Sequence, residues 1–165
     1  MINKIGIRAH DYGKREAEEL LALISQDGYK TIQLAFKKAL VDAEDLTAVL
    51  NHDYAHALSQ KLKMKDITVS VLGAYLNYVG KDINQRESNL SILKKHFMIA
   101  NTLGCRVVGT ETGSLNDNYK PHEDNHSEEA YILFKDIIEK ALMSAQQQLD
   151  KILDNSFVLI DGDGN

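Results

Sequence analysis

The sequence predicts an α/β protein built from parallel βα repeats, on three observations. Short runs of β-branched and aliphatic residues recur at 4–9, 31–36, 67–72 and within 105–114. Each is followed by a longer stretch with helical spacing, the signature of βα units and a parallel sheet. Each run also ends in polar residues: His10 and Asp11, Gln33, Tyr75 and Asn77, then Glu111 between Thr110 and Thr112. In parallel sheets, ligands gather at the C-terminal ends of the strands, so these tips are the first candidates for chemistry. A fifth apolar run, 157–160, closes the sequence and is expected to be a strand.

The helices follow in order. Residues 17–25 place Leu20, Leu21, Leu23 and Ile24 on one side before Asp27-Gly28, which predicts a short helix ending in a turn. Residues 42–63 keep Leu46, Val49, Leu50, Ala57, Leu58 and Leu62 within one broad face and predict a single helix. Residues 87–103 repeat the pattern and stop at Gly104. From Glu128 the apolar phase continues unbroken to Leu153, with no Gly or Pro. That is about twice the ~11–12-residue mean helix.

Composition sets the class. The chain has 165 residues, 44% apolar and 26% charged with a net charge of −5, which predicts one globular domain with an adequate core. No basic run exceeds Lys37-Lys38 or Lys94-Lys95, which argues against nucleic acid as a partner. No apolar run approaches the ~20 residues of a membrane span, and the N-terminus lacks a secretory core. A cytoplasmic location without membrane contact is therefore expected. The single cysteine, Cys105, opens the fourth strand and reads as a small buried hydrophobe.

Three motifs imitate metal sites. His52 and His56 stand four apart as in zinc proteases, but both face away from the apolar side of the helix and supply one ligand too few. His122, Glu123, Asp124 and His126 lie in the polar stretch 116–127, where Asn125, Ser127 and Glu128-Glu129 read as the cap of the following helix. Residues 161–165 begin like a calcium loop without its later ligands. Asp161, directly after an apolar run, reads equally as a carboxylate at the functional edge of the sheet or as the start of a turn. On the residues alone, the sheet is either part of a barrel or a five-stranded flavodoxin-like doubly wound sheet, a binding module. No phosphate loop follows the first strand, where His10-Asp11-Tyr12 stands.

GIRAHDYG at 6–13, TIQLAF at 31–36, SVLGAYLNYV at 70–79 with Arg86-Glu87 after it, and VVGTETGS at 107–114 carry a further signal. In order and spacing, over about 1–140, they resemble the sugar phosphate isomerase/epimerase group of xylose isomerase-like TIM barrels. The resemblance implies a (β/α)₈ barrel that binds a divalent metal (Mn, Mg, Co or Zn) and interconverts sugars or sugar phosphates by proton transfer next to a carbonyl. It implies a sugar pocket lined by His10, Gln33, Tyr75, Asn77 and Thr112, with Glu111 as the catalytic carboxylate and Asp161 as a metal ligand. A barrel takes about 250 residues, so the expectation is a single domain over 1–165, a truncated TIM-barrel-like sheet with an incomplete metal site, impaired activity and self-association. An inactive sugar-binding remnant is the alternative. On this basis the overlong helix from Glu128 is two family helices fused.

Overall fold

The computed structural model describes residues 5–116 and 123–157. Four parallel strands lie side by side in chain order: β1 (Ile7–Arg8), β2 (Thr31–Leu34), β3 (Thr68–Gly73) and β4 (Val108–Gly109). Sequential order with no reversal is the arrangement of a barrel wall. A flavodoxin-like sheet requires a switch point where the order turns back, and the four described strands have none, which removes that alternative. Register runs from Arg8 opposite Gln33, through Leu34 opposite Leu72, to Gly73 opposite Gly109. One extra residue at Ser70 lets β3 slip past β2, and the Ser70 hydroxyl donates to the Ile32 carbonyl at 3.1 Å.

Alternation fixes the two faces of the sheet. Ile32, Leu34, Val69 and Leu72 are buried against α1 (Ala17–Gln26), α4 (His52–Met64) and α5 (Ile83–Thr102), where Leu20, Ile24, Leu58, Leu62 and Ile99 complete the main core. Thr31 and Gln33 point to the opposite, concave face. A second cluster, Tyr78, Leu90, Leu93, Ile137 and Ala141, fastens α5 to α6 (Glu128–Phe157).

Several elements differ from expectation. The stretch 42–63 is not one helix: α3 (Leu46–Val49) ends before α4 begins. Asp45 accepts from Thr47 N at 2.8 Å and Asn51 from Tyr54 N at 2.9 Å, so two N-caps restart the chain where periodicity alone shows continuity. Within that stretch Ala55 is buried and Ala57 exposed. A four-residue helix, α2 (Phe36–Ala39), follows β2 directly. α5 begins at Ile83 rather than 87, because Asp82 accepts from the backbone of Asn84 and Gln85. α6 runs 30 residues with no strand inside it, as the unbroken apolar phase requires. It takes in Phe157, assigned above to a closing strand, while the rest of that run and Asp161 lie outside the described residues.

Of the three metal-like motifs, the His52/His56 pair and residues 123–126 are described, while His122 and 161–165 lie outside the described residues. His52 and His56 stack on an exposed helix surface with centroids 6.2 Å apart. Glu123–His126 is a 3-10 turn, and the Ser127 hydroxyl accepts from Ala130 N at 3.3 Å to cap α6. Cys105 is buried.

Candidate active site at the strand C-termini

His10 sits in a 3-10 turn (Ala9–Tyr12) directly after β1. Its Nδ1 is buried and has no hydrogen-bond partner among the described residues. Burial holds the imidazole below its ordinary protonation range, Asp11 partly opposes this, and the charges of Arg8 and Lys38 reinforce it. Of these charges, Arg8 is committed to Asp11 at 2.9 Å.

Gln33 and Tyr75 meet across strands, the Gln33 amide donating to the Tyr75 hydroxyl. Two glycines make this possible. A Cβ on Gly73 would lie 2.5 Å from the Tyr75 ring, and one on Gly109 would lie 3.7 Å from its hydroxyl. Because Gly73 and Gly109 are register partners, the phenol lies back over the ends of β3 and β4 and reaches β2. The Lys38 ammonium, from α2, sits 4.7 Å from the centroid of the same ring. Beneath lies a cavity of about 60 Å³ floored by Phe36, Ala74 and His96. His96 is fully buried, stands edge-on to Phe36 at 6.3 Å, and donates from Nδ1 to the Ile92 carbonyl at 2.9 Å. Burial keeps this imidazole neutral below its usual range.

The β4 tip is divided between scaffold and open chemistry. The Thr110 hydroxyl donates to the Ala74 carbonyl at 3.0 Å and ties β4 to β3. Glu111 is exposed, and its carboxylate makes no hydrogen bond or ion pair among the described residues. Thr112 is turned toward the start of α6, lining with Gly113, His126 and Phe134 a separate cavity of about 170 Å³. The Asn77 side chain serves the backbone: Nδ2 donates to Ser114 O at 2.8 Å, while Oδ1 accepts from Ser114 N at 2.9 Å and Val79 N at 3.3 Å. Asn89 in turn donates to the Asn77 carbonyl at 2.6 Å. Asn125 accepts from Leu115 N at 2.9 Å and closes the loop over the foot of α6.

The structure thus brings His10, Gln33, Tyr75 and Glu111 to one end of the sheet, with Thr112 directed aside and Asn77 held as a clamp. Lys38 was not singled out from sequence as a pocket residue. Lys38 carried one signal, a cation five residues past Gln33 on the chain leaving the same strand. Among the described residues no three of His, Cys, Asp or Glu gather as metal ligands.

The family model for the xylose isomerase-like TIM barrel matches residues 21–152. The chain belongs to that family. A D-psicose 3-epimerase with D-tagatose from Clostridium cellulolyticum shares the fold, with TM-score 0.62 and 13% identity over 86% of this chain and 48% of that one. A xylose isomerase-like TIM barrel protein from Mycobacterium smegmatis in complex with magnesium gives 0.62 and 16%, over 87% and 51%. The IolI protein with a bound zinc atom gives 0.59 and 13%, over 86% and 47%. The chain therefore spans about half the length of these three proteins. No curated protein matches the sequence. No helix among the described residues is long and apolar enough to cross a membrane.

Proposed function

We propose that this chain forms the substrate wall of a cytoplasmic sugar or sugar-phosphate isomerase/epimerase, which moves a proton next to a carbonyl. The observation that carries it is the convergence of His10, Gln33, Tyr75 and Glu111 at the C-terminal ends of four consecutive parallel strands in a xylose isomerase-like chain. Solved structures of the same fold include a D-psicose 3-epimerase with D-fructose and one with D-tagatose.

In this reading Gln33, the Tyr75 hydroxyl and His10 hydrogen-bond the sugar hydroxyls, and Glu111, whose carboxylate is unpaired among the described residues, accepts the proton α to the carbonyl. The divalent metal implied by the resemblance does not fit the described residues alone, since they bring no ligand trio together. Asp161, outside them, is its candidate ligand. Both outer strands, β1 and β4, have one unpaired side in the described sheet, so we also propose that the chain self-associates and that activity resides in the assembly.

The test is proton–deuterium exchange next to the carbonyl of D-fructose or D-tagatose in D₂O, followed by NMR, with light scattering on the same samples. Exchange is expected in the associated fraction and is expected to fall by about 10²-fold or more in Glu111→Gln. Unchanged exchange in that variant would remove Glu111 from the chemistry. Sugar binding without exchange in any fraction would leave a sugar-binding remnant.

A further inference from the structure

We propose that Lys38 makes this pocket selective for an anionic sugar, one bearing a phosphate or a carboxylate; the inference rests on the sugar-pocket reading above. The Lys38 ammonium is held over the Tyr75 face, 4.7 Å from its centroid, beside the Gln33–Tyr75 pair. An ammonium on a ring face is attracted by the quadrupole but keeps its hydrogen-bond donors free. No carboxylate among the described residues pairs with it. Arg8, the other cation that acts on His10, is paired with Asp11. Lys38 therefore presents uncompensated positive charge where the strand-end polar groups meet.

Its position is set by the fold. α2 starts two residues after β2 ends, and Lys38 N donates to the Ala35 carbonyl at 3.0 Å, so the cation is fixed to the strand that carries Gln33. Its field reaches His10, whose buried Nδ1 lacks a partner among the described residues. A buried polar atom of that kind is ordinarily satisfied in the working state of a protein. Lys37 adds a second positive charge to the same short helix. A neutral sugar satisfies the hydrogen-bonding groups and leaves the charge unanswered; an anionic sugar satisfies both.

The test is calorimetric titration of the 165-residue chain at low salt with fructose 6-phosphate, gluconate, fructose and inorganic phosphate. At least one of the two anionic sugars is expected to bind about tenfold or more tightly than fructose, consistent with a charge-assisted contact. That margin is expected to shrink as salt is added. Whether fructose 6-phosphate or gluconate binds better identifies the anion. Lys38→Met is expected to bring the anionic sugars level with fructose, and Lys38→Arg to keep a margin. A thermal melt of each variant reports whether it folds, and the unsubstituted chain alone decides the case if Lys38→Met does not. Fructose binding as tightly as both anionic sugars, a margin that persists in folded Lys38→Met, or inorganic phosphate binding as tightly as fructose 6-phosphate would each overturn the inference while leaving the sugar pocket. Binding of none of the sugars would overturn the pocket reading and this inference together.

Discussion

Asn77→Ala separates scaffold from chemistry at this rim. The side chain holds Ser114 from both sides, donating to its carbonyl at 2.8 Å and accepting from its amide at 2.9 Å, and it accepts from Val79 N at 3.3 Å. Ser114 is buried, with 4% exposure, so water does not readily replace the lost partner. A net hydrogen bond contributes about 1 kcal/mol, and a buried group left unsatisfied costs about 1–3 kcal/mol. Two close bonds, one longer one and two stranded Ser114 groups give a destabilisation of roughly 3 kcal/mol, discounted for relaxation of the loop. For a chain of this size that corresponds to a Tm lower by roughly 6–12 °C. Asn77→Asp sharpens the test, because it keeps the acceptor but turns a second oxygen toward the Ser114 carbonyl. At neutral pH it should be at least as damaging as Asn77→Ala, and it should recover relative to it in acid, when a protonated carboxyl can donate. Equilibrium urea unfolding by circular dichroism measures both. A loss below about 0.5 kcal/mol in Asn77→Ala, within the range of an ordinary surface substitution, would refute the clamp.

Gly113 has φ +90°, and a Cβ there would lie 2.3 Å from Asn77 Oδ1, so Gly113→Ala should cost about 2–4 kcal/mol, combining left-handed strain with the damaged clamp. The double variant with Asn77→Ala should cost clearly less than the sum, and strict additivity in urea unfolding would show the two sites to be independent. Stability should also fall as pH drops from 7 to 5. His96 stays neutral in the fold while the unfolded imidazole takes up a proton near about 6.5, so its contribution is present above that pH and is lost below it. His96→Leu should flatten that slope, with His10 leaving a smaller one, and an unchanged slope would count against a buried neutral His96.

What could be read from the sequence divides along physical lines. Periodicity decided α6, because a single apolar phase over nearly thirty residues has no other outcome. It misled at 42–63, where the apolar phase runs on while Asp45 and Asn51 cap new helices by accepting backbone N–H groups. The strand-end rule located Gln33, Tyr75 and Glu111 because it needs only the direction of each strand. The rest depends on register. The space for the Tyr75 ring exists because Gly73 and Gly109 are partners across β3 and β4, and that pairing is not written in either segment. Asn77 gave the same signal as a substrate-binding amide, since an exposed tip and a loop clamp use the same side chain. Only the position of Ser114 distinguishes them.

The concave face of the sheet bears on how the chain would associate. Barrel interiors are usually filled by layers of branched apolar side chains. Here that face presents Thr31 and Thr68 with hydroxyls 3.4 Å apart, exposed Ser70, half-buried Val71, and then Gln33 toward the rim. Such a surface loses little by remaining hydrated and gains little by packing against another sheet. The edge differs, because β4 spans two residues and Val107, just before it, is 50% exposed. Leu72 N already donates to the Val107 carbonyl at 2.9 Å, so the residue follows the strand path with its outer side free of described strands. Association driven by this sheet would therefore proceed by strand addition along the edge, which leaves the polar groups of the concave face and rim open to solvent.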